Sequence, residues 1–249
     1  MNFIGIIPAR YASTRFPGKP LVDIGGKTMI QRVYEQARKA FEHVYVATDD
    51  ERIANAVEQF DGKYIMTSPD HQSGTDRCFE AIRKVQTLED KHKFDVVVNI
   101  QGDEPFIKPE QLRLLASCFD DELVQIATLA KLIINSEELF NPNAVKLIRN
   151  KEDFAIYFSR WPIPYQRGKE QAEWFNNFQY FKHLGIYAYR TSVLREITML
   201  KPSALELAES LEQNRWIENG YNIYVQNTDF ENVAIDTPED LEKVRAMQW

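Results

Sequence analysis

Cysteine is scarce in this chain: Cys78 and Cys118 are the only two among 249 residues. Neither has a second cysteine or a histidine at the spacing of a metal site. A zinc centre or a disulfide framework requires such clusters, so the sequence excludes both classes. Free thiols predict a reducing, cytoplasmic setting.

Long apolar runs and an excess of positive charge are also absent. No stretch reaches the length of a membrane span, and the N-terminus lacks the basic and apolar regions of a signal peptide. The 30 basic residues face 37 acidic ones, which gives a formal charge of −7. Nucleic acids and anionic membranes select positive surfaces, so we expect neither as a partner. Local basic groups on an acidic chain indicate small anions instead.

The first 119 residues alternate apolar runs with segments of helical spacing. Strand-like runs occupy residues 3–7, 43–48, 63–66 and 94–100, and helical patterns lie between them. The run at 94–100 is almost unbroken, as expected for a strand buried on both faces. This order predicts an α/β fold with a mostly parallel, doubly wound sheet and helices on both faces.

The second half of the chain is less regular. Its strand-like runs are residues 124–132, 144–148, 184–189 and 222–226, and residues 204–219 show helical spacing. Residues 161–180 hold two prolines and several aromatics, so we expect an excursion that covers a cleft or packs on a partner. Thr237 and Pro238 predict the start of a final helix. We expect a single domain over residues 1–249 with a smaller sub-lobe from this half.

A basic loop follows the first strand and carries Arg10, Arg15 and Lys19 among small residues. Open α/β folds bind ligands at the carboxyl end of such strands. Three cations beside exposed N–H groups suit a polyphosphate. The loop is no Walker A motif, because no Gly-Lys-Ser/Thr follows at the required spacing. On the loop alone, an ordinary solvated basic loop remains an equal alternative.

Two acidic residues follow strand-like runs. Asp103 comes directly after the buried run at 94–100, in a Gly-Asp-Glu-Pro turn, and Asp236 follows the short run at 233–235. Mg²⁺ takes oxygen ligands from one or two carboxylates together with phosphates. Beside a phosphate loop, Asp103 is therefore predicted to bind Mg²⁺, and Asp236 is the second candidate. The alternative for each is an acid that caps a helix or closes a turn.

Other polar residues are candidates for recognition. The loop at residues 70–77, which includes Gln72, Ser73 and Arg77, is dense in hydrogen-bonding groups. It suits a nucleobase, a sugar carboxylate, or both, and the alternative is a polar connection with a helix cap. Glu209 and Gln213 stand four apart on the predicted helix 204–219, so we expect them to share a face.

Nine segments carry a family resemblance, in one order, over residues 4–245: IPARYASTRFPGKPL, ATDD, HQSGTDR, NIQGDEPFI, FNPNAVK, YFSR, HLGIYAYR, LEQ and DTPEDLEKVR. On these segments the chain resembles the 3-deoxy-manno-octulosonate (Kdo) cytidylyltransferases, or CMP-Kdo synthetases. HQSGTDR and QGDEP together separate that family from other sugar nucleotidyltransferases. The resemblance implies a Rossmann-like nucleotidyltransferase fold, a homodimer, and transfer of CMP from CTP to Kdo for lipopolysaccharide biosynthesis.

The resemblance also implies roles for residues. Residues 1–120 become the nucleotide-binding part, and 121–249 the sugar-binding and dimerisation part. Arg10, Arg15 and Lys19 match the triphosphate loop, and Asp103 and Asp236 match the Mg²⁺ carboxylates. The substrate-binding candidates are Gln72, Ser73, Arg77, Gln101, His183, Tyr187, Glu209 and Gln213.

The chain departs from the family pattern at a few positions. Tyr165 stands where tryptophan is expected, Ala234 and Ile235 where Gly-Val is commoner, and Asn214 where leucine is expected. We expect the first two departures to affect local packing only. Asn214 is expected to bear on the sugar pocket or on the dimer contact.

The predicted chemistry needs no covalent intermediate, because no serine or cysteine has a histidine partner at recognisable spacing. Catalysis then consists of positioning and charge stabilisation. Three alternatives stay open. They are a cytidylyltransferase for another acid sugar (8-amino Kdo or a sialic-type acid), a glycosyltransferase, and a non-catalytic nucleotide-sugar binding module.

Overall fold

The computed structural model describes residues 1–12, 16–88, 93–231, 234–235 and 237–245. Its contacts divide the chain into two units. Unit 1 comprises Met1–Ala116, Ala188–Thr198 and Asn232–Trp249, and unit 2 comprises Ser117–Tyr187 and Met199–Glu231. The expected single domain, divided in function at residue 120, stays a prediction.

The elements of the described residues follow in chain order. The strands are β1 (Phe3–Ala9), β2 (Asp23–Ile24), β3 (Lys27–Thr28), β4 (Val44–Thr48), β5 (Tyr64–Met66), β6 (Val96–Asn99), β7 (Ile126–Leu132), β8 (Lys146–Arg149), β9 (Ala155–Ser159), β10 (Phe181–Arg190) and β11 (Ile223–Asn227). The helices are α1 (Met29–Arg38), α2 (Glu51–Glu58), α3 (Gly74–Leu88), α4 (Pro109–Ser117), α5 (Ser136–Phe140), α6 (Gln171–Asn177), α7 (Thr191–Ile197), α8 (Ala204–Glu209), α9 (Glu212–Glu218) and α10 (Pro238–Arg245).

Unit 1 is built on parallel strands in the order β6, β1, β4, β5. Ile4, Ile6 and Ile7 of β1 and every residue of β6 are buried. Continuous apolar strands are the pattern of a parallel sheet covered on both faces. The α/β class with a mostly parallel sheet is therefore confirmed.

The helices of unit 1 begin where the sequence has capping residues. Thr28 Oγ1 accepts the Gln31 N–H at 3.3 Å ahead of α1, and Asp50 accepts the Arg52 N–H at 2.9 Å ahead of α2. Ser73 Oγ accepts the Asp76 N–H at 3.1 Å, so Ser73 caps α3. These bonds satisfy N–H groups that the first helical turn leaves without partners.

Unit 2 holds the strands that follow residue 117. Strand β7 pairs in parallel with β11, and β8 pairs antiparallel with both β10 and β9. The pairing partner of β9 within the described residues is β8, so β9 is an edge strand. The sequence pattern did not predict β9. Residues 161–180 include α6, whose Trp174 packs with Leu139 and Tyr180.

The predicted single helix over residues 204–219 is wrong, because the chain forms α8 and α9 instead. Ser210 adopts a left-handed conformation with φ 53° and ψ 48°, which ends α8, and the extended Leu211 precedes α9. The side chain of Leu211 is buried, which favours this break. Glu209 and Gln213 consequently do not share one helix face. No glycine or proline marks the break in the sequence.

The two cysteines of the chain, Cys78 and Cys118, are buried free thiols. Burial raises the pKa of Cys118 to about 12, so this thiol remains uncharged. Among the described residues no helix combines the length and the apolar character needed to cross a membrane.

Candidate active site

A cleft of about 260 Å³ lies in unit 1 at the carboxyl ends of β1 and β6 and at the start of α3. It is lined by Pro8, Ala9, Arg10, Lys19, Pro20, His71, Gln72, Ser73, Gly74, Arg77, Gln101, Gly102 and Asp103. The cleft thus brings together every unit 1 candidate that the structure describes. Arg15 and Asp236 lie outside the described residues.

Two glycines, one in the basic loop and one shortly after β6, allow close contacts at the cleft. Gly18 has φ 74°, and a Cβ there would lie 3.1 Å from the Tyr11 ring. Its N–H donates to the Tyr11 carbonyl at 2.9 Å, so the loop folds back on itself immediately before Lys19. At Gly102 a Cβ would lie 3.0 Å from the Pro8 carbonyl oxygen. Glycine therefore permits the turn at Gly18 and the close approach of the segment after β6 to Pro8 of β1.

Lys19 and Asp103 form an ion pair on the cleft wall. Lys19 Nζ lies 2.7 Å from Asp103 Oδ2, and the side chains are 14% and 29% exposed. The pair joins the predicted phosphate loop to the predicted metal carboxylate. A phosphate ligand would compete with Asp103 for the ammonium group, and a cation would compete with Lys19 for the carboxylate.

The chain that precedes the second carboxylate is tied to Asp103. The N–H of Ile235, the neighbour of Asp236 in sequence, donates to the Asp103 carbonyl at 3.0 Å. The described residues contain no group of three acidic, histidine or cysteine side chains that is able to hold a metal ion. Asp103 brings one carboxylate, so a metal here needs a second ligand. The assignment of Asp103 and Asp236 to Mg²⁺ stays a prediction.

Arg77 is held in a fixed position. Its side chain is 4% exposed, Nη1 donates to Thr67 Oγ1 at 2.6 Å, and Asp49 Oδ1 lies 3.4 Å from the same nitrogen. A guanidinium group has five N–H donors, so other donors remain for a ligand in the cleft. The sequence reasoning missed Thr67 and Asp49, although Asp49 belongs to the ATDD segment.

Glu80 of α3 organises the loop on the far side of the cleft. Its carboxylate accepts the Ser68 N–H at 2.9 Å, contacts His71 Nε2, and lies 2.7 Å from Lys84 Nζ. Burial by itself raises the pKa of Glu80, but the bonds from Lys84, Ser68 and His71 outweigh it and lower that pKa to about 2. The sequence reasoning missed Glu80. His71 belongs to the loop at residues 70–77, which the sequence predicts to recognise a nucleobase, a sugar carboxylate, or both.

Unit 2 holds four sugar-site candidates in a less exposed setting. Tyr187 and Gln213 are buried, and His183 and Glu209 are half-buried. The His183 ring lies 5.1 Å from the Phe158 ring and 5.2 Å from the Tyr187 ring. Its Nε2 lies 3.0 Å from Thr128 Oγ1. Desolvation lowers the pKa of His183 to about 3, so the imidazole is neutral at pH 7.

Glu209 is oriented by the segment that ends β9. Its carboxylate accepts the Ser159 hydroxyl at 2.7 Å and the Arg160 N–H at 2.9 Å. Tyr157 OH lies 3.4 Å from the same oxygen that Ser159 contacts. Each carboxylate oxygen accepts two bonds, so the oxygen that accepts the Arg160 N–H retains a free acceptor position.

Two departures from the family pattern have structural roles. Asn214 is fully buried and pairs with the backbone of Phe158, donating from Nδ2 at 3.0 Å and accepting at Oδ1 at 3.3 Å. The amide therefore joins α9 to β9 through bonds that leucine lacks. Tyr165 is 70% exposed and packs edge-on against Trp174, with ring centroids 5.1 Å apart.

Comparison with known proteins identifies the family. The family model described as cytidylyltransferase matches residues 4–245. A 3-deoxy-manno-octulosonate cytidylyltransferase of Parabacteroides distasonis is 58% identical over 250 residues, which cover 99% of this chain and 98% of that protein. The chain belongs to the 3-deoxy-manno-octulosonate cytidylyltransferase family. The family resemblance seen in the sequence is thereby confirmed.

Two further similarities agree with this family. The 3-deoxy-manno-octulosonate cytidylyltransferase of Bacteroides thetaiotaomicron is 58% identical over 244 residues, 97% of this chain and 96% of its own. A solved structure of CMP:2-keto-3-deoxy-manno-octonic acid synthetase in complex with CTP superposes with a TM-score of 0.88. It is 45% identical, and the match covers 99% of this chain and 98% of that one. The predicted nucleotidyltransferase fold is confirmed.

Proposed function

We propose that this cytidylyltransferase transfers CMP from CTP to the anomeric hydroxyl of 3-deoxy-D-manno-octulosonate and releases pyrophosphate. The CMP-Kdo so formed would serve lipopolysaccharide biosynthesis. The observation that carries the proposal is the cleft of unit 1, where Arg10, Lys19 and Arg77 converge with Asp103 at the ends of parallel strands. The similarity to a synthetase solved with CTP supports the nucleotide, and the names of the relatives support Kdo.

The basic loop holds the triphosphate in this proposal. Arg10 and Lys19 bind phosphate oxygens, and Arg15 adds a third cation. The anomeric oxygen attacks the α-phosphorus in line, the bond to the bridging oxygen of the β-phosphate breaks, and the hydroxyl proton leaves to solvent. The cations offset the charge that develops on the departing pyrophosphate. The residues position and stabilise the reacting groups without forming a covalent intermediate.

Mg²⁺ is the proposed cofactor, with Asp103 and Asp236 as its protein ligands. Two carboxylates together with phosphate oxygens form the donor set that Mg²⁺ prefers. The hydrogen bond from Ile235 to Asp103 supports this pairing. When bound, the ion would neutralise phosphate charge. Lys19, which lies 2.7 Å from Asp103, would then bind phosphate oxygens in place of that carboxylate.

The acid sugar is read by two sets of side chains in this proposal. Arg77 and Gln101 hold its carboxylate, since an arginine fork suits that group. Gln72 and Ser73 join them at the cleft wall. In unit 2 the residues proposed to read sugar hydroxyls are His183, Tyr187, Glu209 and Gln213. The neutral His183 and the oriented carboxylate of Glu209 support this role, because both are set before any ligand arrives.

We further propose a cytoplasmic homodimer. Ile156, Trp161, Tyr165 and Phe178 of unit 2 are between 44% and 70% exposed, although all are large and apolar. Large apolar side chains that water reaches in the single chain suit a protein interface. The use of CTP and the free thiols of Cys78 and Cys118 support the cytoplasmic assignment. Light scattering of the purified protein tests the dimer, and a monomer at micromolar concentration would contradict it.

Pyrophosphate release tests the reaction. CTP and Mg²⁺ are supplied with Kdo, 8-amino Kdo, a sialic acid or a neutral sugar. We expect release with Kdo and none without an acid sugar. Preference for another acid would change the substrate, whereas release with none of them would overturn the proposal.

A further inference from the structure

His71 and Glu80 make a contact on the cleft wall that the proposed reaction does not use. His71 lies in the loop before α3 and lines the cleft. Glu80 Oε2 contacts both His71 Nε2 and the Ser68 N–H, while Oε1 contacts Lys84 Nζ. One carboxylate therefore ties this loop to the helix at two points, and one of them is the imidazole ring.

The contact determines which nitrogen of His71 carries the hydrogen. An ionised carboxylate is an acceptor only. Glu80 remains ionised at any pH near neutral, because its pKa lies near 2. Nε2 must therefore donate, and the neutral ring keeps its lone pair on Nδ1. A carboxylate bonded to one ring nitrogen also makes the other a stronger acceptor.

The Nδ1 atom has no hydrogen-bond partner within the described parts of the chain. Because the ring lines the cleft, a bound ligand is able to replace water as the partner of Nδ1. A phosphate oxygen suits Nδ1 poorly, since it is another acceptor and the anionic Glu80 lies beside the ring. An N–H or O–H donor of a nucleoside fits both the lone pair and the local negative charge.

We infer that Glu80 is a positioning residue for the nucleotide: it holds His71 so that Nδ1 accepts a hydrogen bond from the nucleoside part of CTP. The inference rests on the proposed use of CTP. The donor is the cytosine amino group or a ribose hydroxyl. UTP lacks the amino group, and 2′-deoxy-CTP and 3′-deoxy-CTP each lack one hydroxyl, so the three analogues distinguish the sources.

Substitution of His71 by asparagine or glutamine tests the contacts of the two ring nitrogens separately. His71→Asn keeps a polar atom near the position of Nδ1 but does not reach Glu80, whereas His71→Gln reaches toward Glu80 and abandons Nδ1. Glu80→Gln both donates and accepts, so it no longer selects one tautomer. Lys84→Met removes another partner of Glu80 without touching His71 and is the matched control.

We expect the KM for CTP to rise about tenfold in His71→Gln, the worth of one hydrogen bond, and about threefold in Glu80→Gln. The kcat should stay within about twofold, because no reacting atom is involved. His71→Asn should lose less than His71→Gln, and Lys84→Met should match the wild type. If His71→Gln kept full CTP affinity while His71→Asn lost affinity, the inference would be overturned. The contact with Glu80, and not a hydrogen bond at Nδ1, would then determine the affinity for CTP.

Imidazole ¹⁵N shifts supply a readout that a merely structural role does not move. The chain has four histidines, so the His71 signals are assignable by substitution. We expect the Nε2–H tautomer in the free protein, a shift of Nδ1 on addition of CTP, and a mixed tautomer in Glu80→Gln. The analogue that lacks the true donor should leave Nδ1 unshifted.

The same spectra separate this inference from the proposed function. If saturating CTP leaves Nδ1 unshifted in a protein that releases pyrophosphate, the inference is wrong and the function stands. If CTP shifts no resonance and supports no pyrophosphate release, the proposed function fails and the inference fails with it.

Discussion

The cleft of unit 1 and the sugar-site candidates of unit 2 hold their polar side chains in different ways. The candidates of unit 2 are His183, Tyr187, Glu209 and Gln213. In unit 1 full charges line an open wall: Arg10 is exposed, and Lys19 and Asp103 are partly exposed. In unit 2 the groups are less exposed, His183 is neutral, and the Glu209 carboxylate is bonded to Ser159 and Arg160. Open charges suit a highly charged ligand, whereas pre-bonded groups suit a ligand with hydroxyls at fixed positions.

This difference predicts which residues govern the rate and which govern the choice of sugar. Charges on an open wall act most strongly where charge develops during the reaction. Polar groups that are already oriented reject analogues which leave them without a partner. Changes in the charges of Arg10 and Lys19 should therefore alter turnover more than sugar choice. Changes in unit 2 should alter sugar choice and folding stability more than turnover.

The largest expected effect is that of Asp103→Asn, which removes the one carboxylate among the described residues that line the cleft. A carboxamide is a poor ligand for a hard cation, so kcat should fall by about 10³-fold, the upper end for a lost charge-stabilising group. Asp95→Asn is the matched control, because Asp95 precedes β6 at its other end and bonds the Asn2 N–H. Normal turnover of Asp103→Asn at limiting Mg²⁺ would remove the metal assignment.

Arg10→Ala and Lys19→Ala come next. Each should cost about 2–4 kcal/mol of transition-state stabilisation at the triphosphate, with little change in the KM for Kdo. Lys27→Ala is the control, because Lys27 is exposed and pairs with Glu35 outside the cleft. An unchanged kcat/KM for CTP in both variants would return the loop to an ordinary basic surface.

The methyl ester of Kdo is expected to have a smaller effect, because it changes one ligand group and leaves the protein intact. Arg77→Ala is a poor test, since it leaves Asp49 and Thr67 without a buried partner. Loss of a charge-assisted bond of about 1.5–3 kcal/mol should lower kcat/KM for the sugar roughly 10–150-fold. The KM for CTP should not change. Equal rates with acid and ester would exclude the carboxylate contact.

The sequence predicted unit 1 better than unit 2, and the reason is physical. In a parallel sheet each strand is a continuous apolar run, and its carboxyl end must lie at one edge with all the others. Arg10, Lys19 and Asp103 could therefore be assigned to one cleft from their places after strands, and Arg77 from its place in the first turn of α3. The pairing of Lys19 with Asp103 could not be predicted from the sequence, because the turn at Gly18 sets the direction of the loop.

Unit 2 depended on conformations that leave little trace in the sequence. The break between α8 and α9 occurs at Ser210, a residue that adopts left-handed φ without being glycine. The bonds that orient Glu209 come from β9, which the pattern did not predict. Asn214 was expected to bear on the sugar pocket or on the dimer contact, and the sequence did not predict that its amide pairs with Phe158 of β9. Tertiary packing decided each of these features.

The smallest expected effect concerns the stability of unit 2 in mild acid. Burial lowers the pKa of His183 from 6.5 to about 3 in the folded protein. Below pH 6.5 the unfolded chain therefore binds a proton that the folded chain does not bind until near pH 3. The stabilisation is complete above pH 6.5 and is lost as the pH falls, by up to about 1.4 kcal/mol per pH unit.

Carboxylates with lowered pKa, such as Glu80, lose their contribution to stability only below about pH 4.5. Urea unfolding at pH 7.5 and 5.5 measures this contribution, and His183 should cost the wild type up to about 1.4 kcal/mol between them. His183→Gln should be less stable at pH 7.5 but should show a smaller loss of stability between the two pH values. If the free energy of unfolding changed equally with pH in the wild type and in His183→Gln, His183 would take up its proton in the folded protein. The prediction that His183 is neutral in unit 2 would then be wrong.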